Sequence, residues 1–175
     1  GVVFECLRGK FANYVVKPHE NILYEILVDE NLHFDPPDAR SPLRGVGAFQ
    51  TDVLVARSEE PQTPLVVIEV TANLTTDKIL TTTAKAAKHK SVYPYLRYGM
   101  AFAFENSPVI PGRFFTHNSV LDFAISMEAP DGNRLPDCDK LVAIVERQIA
   151  VAEYLIKLMD GSNRVRAYES CVKLD

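Results

Sequence analysis

The chain has 175 residues, about the length of one domain. Apolar residues make up 47% of it and charged residues 24%, which excludes an intrinsically disordered chain. The 19 basic and 23 acidic residues give a net charge of −4, which excludes nucleic-acid binding through bulk positive charge but allows a local basic groove. No apolar run approaches the roughly 20 residues of a membrane span.

The first part of the chain predicts a helix followed by two strands. The helix spans Pro18 to about Glu30, because proline favours a first helical turn and apolar residues recur there at helical spacing. A proline-rich loop over residues 35–42 separates it from a strand over Phe49–Ala56. The next strand, Leu65–Val70, reads LVVIEV, a pattern typical of a central strand.

A second helix follows this strand. It begins near Thr75 and continues to about Tyr98, with a break expected at Tyr93-Pro94 because proline interrupts a helix. The apolar segment Met100–Phe104 then predicts another buried strand.

The last part of the chain predicts further strands and a long helix. Residues 114–127 alternate loosely and predict one or two strands, and Asp131–Asn133 predicts a turn. Asp139–Asp160 is the clearest helix, since apolar residues recur on one face and glycine follows it. Its apolar residues exceed one narrow stripe, so it either packs on a sheet or forms a homodimer interface.

These elements predict an α/β fold with a central mixed β-sheet flanked by helices. We expect one domain over residues 1–175, with residues 18–104 as its core and residues 105–175 adding strands and the last helix.

The three cysteines are Cys6, Cys138 and Cys171. Their odd number and wide spacing argue against a disulfide framework. We therefore expect free thiols and a cytoplasmic protein without membrane association.

Two acids interrupt otherwise apolar strand sequence: Asp52 in FQTDVLVA and Glu69 in LVVIEVT. A carboxylate in a buried strand is unfavourable unless it is paired or binds a metal. If the two strands are neighbours, both acids converge on one end of the sheet, where Mg²⁺ or Mn²⁺ would relieve their repulsion. The alternative is that they are strand-end acids exposed to solvent or paired with lysine. The sequence has no phosphate-binding glycine loop, nucleophile elbow or zinc-ligand spacing.

Asp52, 16 intervening residues, Glu69-Val70-Thr71, a lysine-bearing helix and an apolar strand follow one another in that order. This order resembles the PD-(D/E)XK nuclease superfamily, which has the restriction-endonuclease-like fold, and the resemblance covers about half of the chain. It implies a Mg²⁺-dependent endonuclease that cuts DNA, with Mn²⁺ as a substitute ion. Asp52 and Glu69 would then be catalytic metal ligands, together with the main-chain carbonyl of Val70.

The sequence departs from the family pattern at Thr71, which stands where the motif has lysine. That lysine orients the attacking water and stabilises developing negative charge, and threonine cannot supply the charge. Some members of the superfamily supply lysine from the next helix instead. Lys78, Lys85 and Lys88 share one face of that helix, and Lys85 is our first candidate for the catalytic lysine.

The resemblance also implies a glutamate from the first helix, for which Glu20 is our first choice and Glu25 our second. The family core has a strand before the one that carries the first acid. The proline-rich sequence after Phe34 offers little room for such a strand.

Basic residues on and after the second helix are candidates for contacts with DNA phosphates, although they could equally be solubilising charge. They are Lys78, Lys88, Lys90 and Arg97.

Two other functions remain open. Thr71 favours a catalytically inert domain of the same fold that binds nucleic acid or protein. In an unrelated α/β interaction protein, Asp52 and Glu69 would form ordinary surface pairs.

Overall fold

The computed structural model of the chain describes residues 1–35, 42–44, 47–59, 63–102, 109–128 and 136–167. Its helices are α1 (Val2–Leu7), α2 (Thr76–Val92), α3 (Gly112–His117) and α4 (Cys138–Met159). Its strands are β1 (Tyr14–Pro18), β2 (Asn21–Leu23), β3 (Leu27–Val28), β4 (Phe34–Asp35), β5 (Ala48–Gln50), β6 (Val53–Arg57), β7 (Pro64–Thr71), β8 (Arg97–Phe102) and β9 (Phe123–Ser126).

The core is a five-stranded mixed sheet in the order β1-β6-β7-β8-β9. Strands β1, β6 and β7 pair antiparallel, whereas β7, β8 and β9 pair parallel. Two parallel neighbours need a crossover connection between them, and α2 provides this connection between β7 and β8. The small pairs β2–β5 and β3–β4 lie outside this sheet. The predicted α/β class with a central mixed sheet flanked by helices is confirmed.

Both faces of the sheet are covered, which explains the unbroken apolar run of β7. Val66 and Ile68 pack in a cluster with α1 and α4, while Val67 packs in a second cluster with α2 and α3. Because strand residues alternate between faces, Glu69 lies on the same face as Val67. Asp52 lies on that face too, two residues before Leu54, which packs in the same cluster.

The predicted helix from Pro18 to Glu30 is wrong. The segment instead ends β1, turns, and forms the short strands β2 and β3. His19 adopts a left-handed backbone conformation with φ 58°, which reverses the chain directly after β1. Ile22 then pairs with Phe49 of β5 and packs against the α2 side of the sheet, so tertiary burial overrides the helical spacing.

Two predicted boundaries also change. The predicted strand over 49–56 is divided into β5 and β6, with Thr51 and Asp52 at the bend between them. The second helix ends at Val92, before Pro94, and β8 already begins at Arg97. The proline therefore ends the helix instead of interrupting it.

The last part of the chain follows the prediction more closely. The segment 114–127 contains the end of α3 and a single strand, β9, while the predicted final helix is confirmed as α4. The predicted turn at 131–133 and the end of the predicted strand at 103–104 lie outside the described residues. None of the helices described is both long and apolar enough to cross a bilayer.

The prediction of free thiols is wrong for Cys6 and Cys138, which form a disulfide that joins α1 to the start of α4. Their Cα atoms are 5.2 Å apart although the residues are separated by 132 positions. Such a pairing depends on the packing of α1 against α4, so sequence spacing could not reveal it. Cys171 lies outside the described residues.

Candidate functional site

The candidate site lies where β7 ends and β6 begins. Val53 of β6 is paired with Ile68 of β7, and continuing this antiparallel register places Asp52 beside Glu69. Both side chains lie on the face of the sheet that α2 covers. The structure therefore brings together the two acids that interrupt apolar strands in the sequence.

Hydrogen bonds fix Asp52 on both its main chain and its side chain. Its carbonyl oxygen accepts from the backbone N–H of His19 at 3.1 Å, and its Oδ2 accepts from the backbone N–H of Val70 at 2.7 Å. Its other carboxylate oxygen, Oδ1, accepts no hydrogen bond from the described residues. The Asp52 side chain is thus held in place through Oδ2, and Oδ1 has no donor among the described residues.

Glu69 shows the same division between its two oxygens. Its Oε1 accepts from Lys85 Nζ at 2.6 Å and from the Tyr98 hydroxyl at 2.7 Å. Within the part of the chain that the structure describes, Oε2 has no hydrogen-bond donor. The side chain is only 14% exposed.

The electrostatics of Glu69 favour a nearby cation. Burial raises the pKa of its carboxyl, and the positive charge of Lys85 opposes that shift. The negative charge of Asp52 adds to the increase in the pKa of Glu69. Burial and the adjacent Glu69 carboxylate also raise the pKa of Tyr98, so the Tyr98 hydroxyl remains a hydrogen-bond donor at neutral pH.

Lys85 reaches this site from α2. The helix begins soon after β7, with the Thr75 side chain capping it through the backbone N–H of Lys78. Lys85 is only 20% exposed, and its ammonium also donates to the main-chain carbonyl of Gln50 at the end of β5. Our first candidate for a helix lysine therefore contacts the strand glutamate. Thr71, at the motif position, donates its hydroxyl to the carbonyl of Asn73 at 2.9 Å.

Val70 contributes its backbone to the same place. The N–H and C=O of a strand residue point to the same side, so the Val70 carbonyl lies on the side where its N–H meets Asp52. The last paired residues of β6 and β7 are Val53 and Ile68. The strand pairing with β6 therefore does not extend to the Val70 carbonyl. Two carboxylate oxygens and one main-chain carbonyl thus lie at the end of β7.

These three oxygens fit a hard divalent cation. Mg²⁺ is usually held by one or two carboxylates, keeps several waters and takes further ligands from a substrate phosphate. The described residues contain no group of three or more histidine, cysteine, aspartate or glutamate side chains able to hold an ion. Carboxylate and carbonyl oxygens are hard donors of the kind that Mg²⁺ and Mn²⁺ prefer.

The structure does not place Glu20 on a helix. It lies in the turn between β1 and β2, where its carbonyl accepts from the backbone N–H and the hydroxyl of Thr51. Its backbone thus adjoins the segment that carries Asp52, but its carboxylate lies 4.0 Å from Lys17 Nζ. Glu25, the second choice, is exposed beside Lys88 in a groove.

The predicted phosphate-contacting residues divide into two pairs. Lys90 and Arg97 both bind Asp122, with closest N–O distances of 2.7 and 2.8 Å, so their charges are compensated inside the domain. Lys78 and Lys88 are exposed on α2, and Lys88 Nζ lies 4.9 Å from the centre of the Tyr24 ring. Lys78 and Lys88 are therefore the two with charge available to a partner.

Sequence reasoning missed Tyr98 and His89. The sequence predicts Tyr98 at the end of a helix, but the residue lies in β8, where it pairs with Val67 and shares the face of Glu69. His89 is fully buried one helical turn after Lys85, between the rings of Phe49 and Tyr98. Burial lowers the pKa of His89 to about 4, so its ring is neutral at physiological pH. A correct start for β8 would have revealed Tyr98 by strand alternation.

No family model matches the sequence, and no curated protein matches it at a significant level.

Proposed function

We propose that the protein is a metal-dependent endonuclease of the PD-(D/E)XK kind that hydrolyses phosphodiester bonds in DNA. The observation that carries this proposal is the meeting of Asp52, Glu69 and Lys85 at the end of β7. Asp52 and Glu69 have the residue types, order and strands that the family resemblance implies, and Lys85 lies on the helix from which some members of the superfamily supply the lysine.

The order of elements supports the same proposal. The resemblance implies a strand before the one that carries the first acid, and β1 pairs antiparallel with β6 in that position. The strand with the second acid, β7, is followed by the helix α2 and the parallel strand β8. The restriction-endonuclease-like fold is our proposal for this arrangement.

Asp52 Oδ1, Glu69 Oε2 and the carbonyl of Val70 would hold Mg²⁺, with Mn²⁺ as a substitute. The bound ion supplies a water of lowered pKa and neutralises charge on the scissile phosphate. Without a cation, two carboxylates at one sheet end would repel a phosphodiester, so the acids themselves make DNA binding at this site depend on the metal.

Lys85 would supply the positive charge that Thr71 cannot supply. In the reaction, a water oxygen forms a bond to phosphorus and releases a proton to solvent, while the opposite phosphorus–oxygen bond breaks and the departing oxygen takes up a proton from solvent. Negative charge grows on the phosphate oxygens during this step. Lys85 is a cation in a partly buried site, where such charge is stabilised more strongly than in water. We assign Lys85 this role, together with orienting the water.

Lys78 and Lys88 would contact the DNA backbone from the exposed side of α2.

A second copy of the chain would cut the second strand of a duplex. The exposed apolar residues of α4, among them Val151 and Tyr154, are our proposed homodimer contact. A cytoplasmic location remains our prediction, although the disulfide is a feature more typical of oxidising compartments.

The direct test is cleavage of supercoiled plasmid and of single-stranded DNA with Mg²⁺, Mn²⁺ or EDTA. We expect the wild-type protein to cut with either metal and not with EDTA, and Asp52→Asn and Glu69→Gln to lose cleavage while remaining folded. Asp139→Asn and Glu146→Gln change exposed acids on α4 and should cut like the wild type. Equal cleavage by all four variants would contradict the assignment of the site.

The second candidate function is a catalytically inert domain of the same fold that binds DNA. The observation in its favour is Thr71, whose hydroxyl is engaged by the carbonyl of Asn73 and carries no charge. This function predicts DNA binding without cleavage in any metal, and predicts that Thr71→Lys stays inactive. Cleavage by the wild-type chain would eliminate it.

A further inference from the structure

We propose that Tyr98 is a positioning residue of the site, whose hydroxyl shares Glu69 Oε1 with Lys85 and so leaves Oε2 directed at the metal position. This inference rests on the proposed function and deepens it. It assigns a role to a residue that lies outside the motif and would not itself touch the ion or the DNA.

The hydroxyl donor is held rigidly. Tyr98 is fully buried in β8, and its backbone N–H donates to Asp122 Oδ2 at 2.7 Å. Asp122 is itself fixed by Lys90 and Arg97. The Tyr98 ring also packs beside the His89 ring, with 5.7 Å between the ring centres. The 2.7 Å bond to Glu69 therefore comes from a donor with little freedom to move.

A rigid neutral donor does something that Lys85 cannot do alone. The Lys85 ammonium is divided between Glu69 and the carbonyl of Gln50, and it is the group that we expect to face developing charge on the substrate. If Lys85 alone oriented Glu69, the carboxylate could rotate whenever the ammonium moved. The Tyr98 hydroxyl keeps Oε1 engaged and adds no charge, so the negative charge of Glu69 remains available at Oε2.

The test is Tyr98→Phe, which keeps the ring and removes only the hydroxyl. Tyr95→Phe is the matched control, because Tyr95 packs on the opposite core cluster, away from Glu69. Isothermal titration of metal-free protein with Mn²⁺ gives the affinity, and steady-state cleavage gives kcat and KM for DNA separately. We expect Mn²⁺ affinity to fall about tenfold or more for Tyr98→Phe. At saturating Mn²⁺, where the ion is bound in both proteins, kcat should also fall and KM for DNA should be unchanged. Tyr95→Phe should match the wild type.

A double-mutant cycle separates positioning from a general loss of packing. In a Glu69→Gln background there is no carboxylate left to orient, so adding Tyr98→Phe should change the residual Mn²⁺ affinity no further. Wild-type affinity and kcat in Tyr98→Phe would overturn the inference and leave the proposed function standing. Equal losses in Tyr98→Phe and Tyr95→Phe would also overturn it. A folded wild-type chain that neither binds Mn²⁺ nor cuts DNA would overturn the proposed function and the inference with it.

Discussion

Replacing Lys85 by methionine should destabilise the protein in a way that depends on pH. The substitution preserves the length and apolar stem of the side chain and removes the ammonium that pairs with Glu69. Among the described residues, the carboxylate, which is 14% exposed, then keeps only the Tyr98 hydroxyl as a donor. Removing one partner of a buried ion pair costs about 3–5 kcal/mol. Since both groups retain some contact with solvent, we expect a loss of about 3 kcal/mol at neutral pH.

The sign of the pH dependence follows from Glu69. Its pKa in the folded protein is already above the ordinary value, and loss of Lys85 removes the largest opposing influence. The folded variant therefore takes up a proton more readily than the unfolded chain as the pH falls towards the ordinary carboxyl range. A proton bound in the folded state favours folding, so the stability difference between variant and wild type should shrink from pH 8 to pH 5.

Urea unfolding followed by far-ultraviolet circular dichroism measures this difference, with the disulfide kept oxidised. A loss of about 3 kcal/mol corresponds to a fall in Tm of roughly 6–12 °C for a domain of this size. Glu69→Gln in the Lys85→Met background should recover much of the loss, because no buried charge remains unpaired. The same loss at pH 5 and pH 8, or strict additivity in the double variant, would refute this account of the pair.

Three further predictions concern other parts of the molecule. Reducing the Cys6–Cys138 disulfide, or changing Cys6 to serine, should lower the free energy of unfolding by up to about 5 kcal/mol in urea, because the bond closes a loop across most of the chain. His89→Leu should flatten the decline in stability between about pH 6.5 and pH 4, since the folded wild type excludes a proton that the unfolded chain binds; the full wild-type decline is roughly 3 kcal/mol. Lys88→Ala should weaken duplex binding and reduce the slope of log affinity against log salt by about 0.9 in a fluorescence titration, whereas Lys157→Ala on α4 should change neither.

Strong local patterns made much of the sheet predictable. The LVVIEV run and the long amphipathic helix near the carboxyl terminus carry enough local signal to be assigned correctly. Asp52 and Glu69 stand out because charge is costly among apolar strand residues. Lys85 is a candidate because it lies on the helix after Thr71, and threonine lacks the charge of the motif lysine. Each of these assignments depends on predicting one secondary-structure element, or two that follow each other in the chain.

What the sequence did not reveal depends on contacts between distant elements. The helical spacing after Pro18 was misleading because Ile22 is buried by pairing with Phe49, not by forming a helical face. The disulfide requires α1 to reach α4. The role of Tyr98 depends on β8 beginning at Arg97, because that boundary decides which face of the sheet the tyrosine occupies.

The measurement that tests the central claim most directly is calorimetric titration of the metal-free protein with Mn²⁺, for the wild type, Asp52→Asn and Glu69→Gln. Asp52 and Glu69 each have one carboxylate oxygen without a hydrogen-bond donor among the described residues. We therefore predict a Mn²⁺ site in the wild type that is lost or weakened at least tenfold in each variant, while both variants remain folded. Wild-type Mn²⁺ affinity in both variants would contradict the claim that these two acids hold the metal.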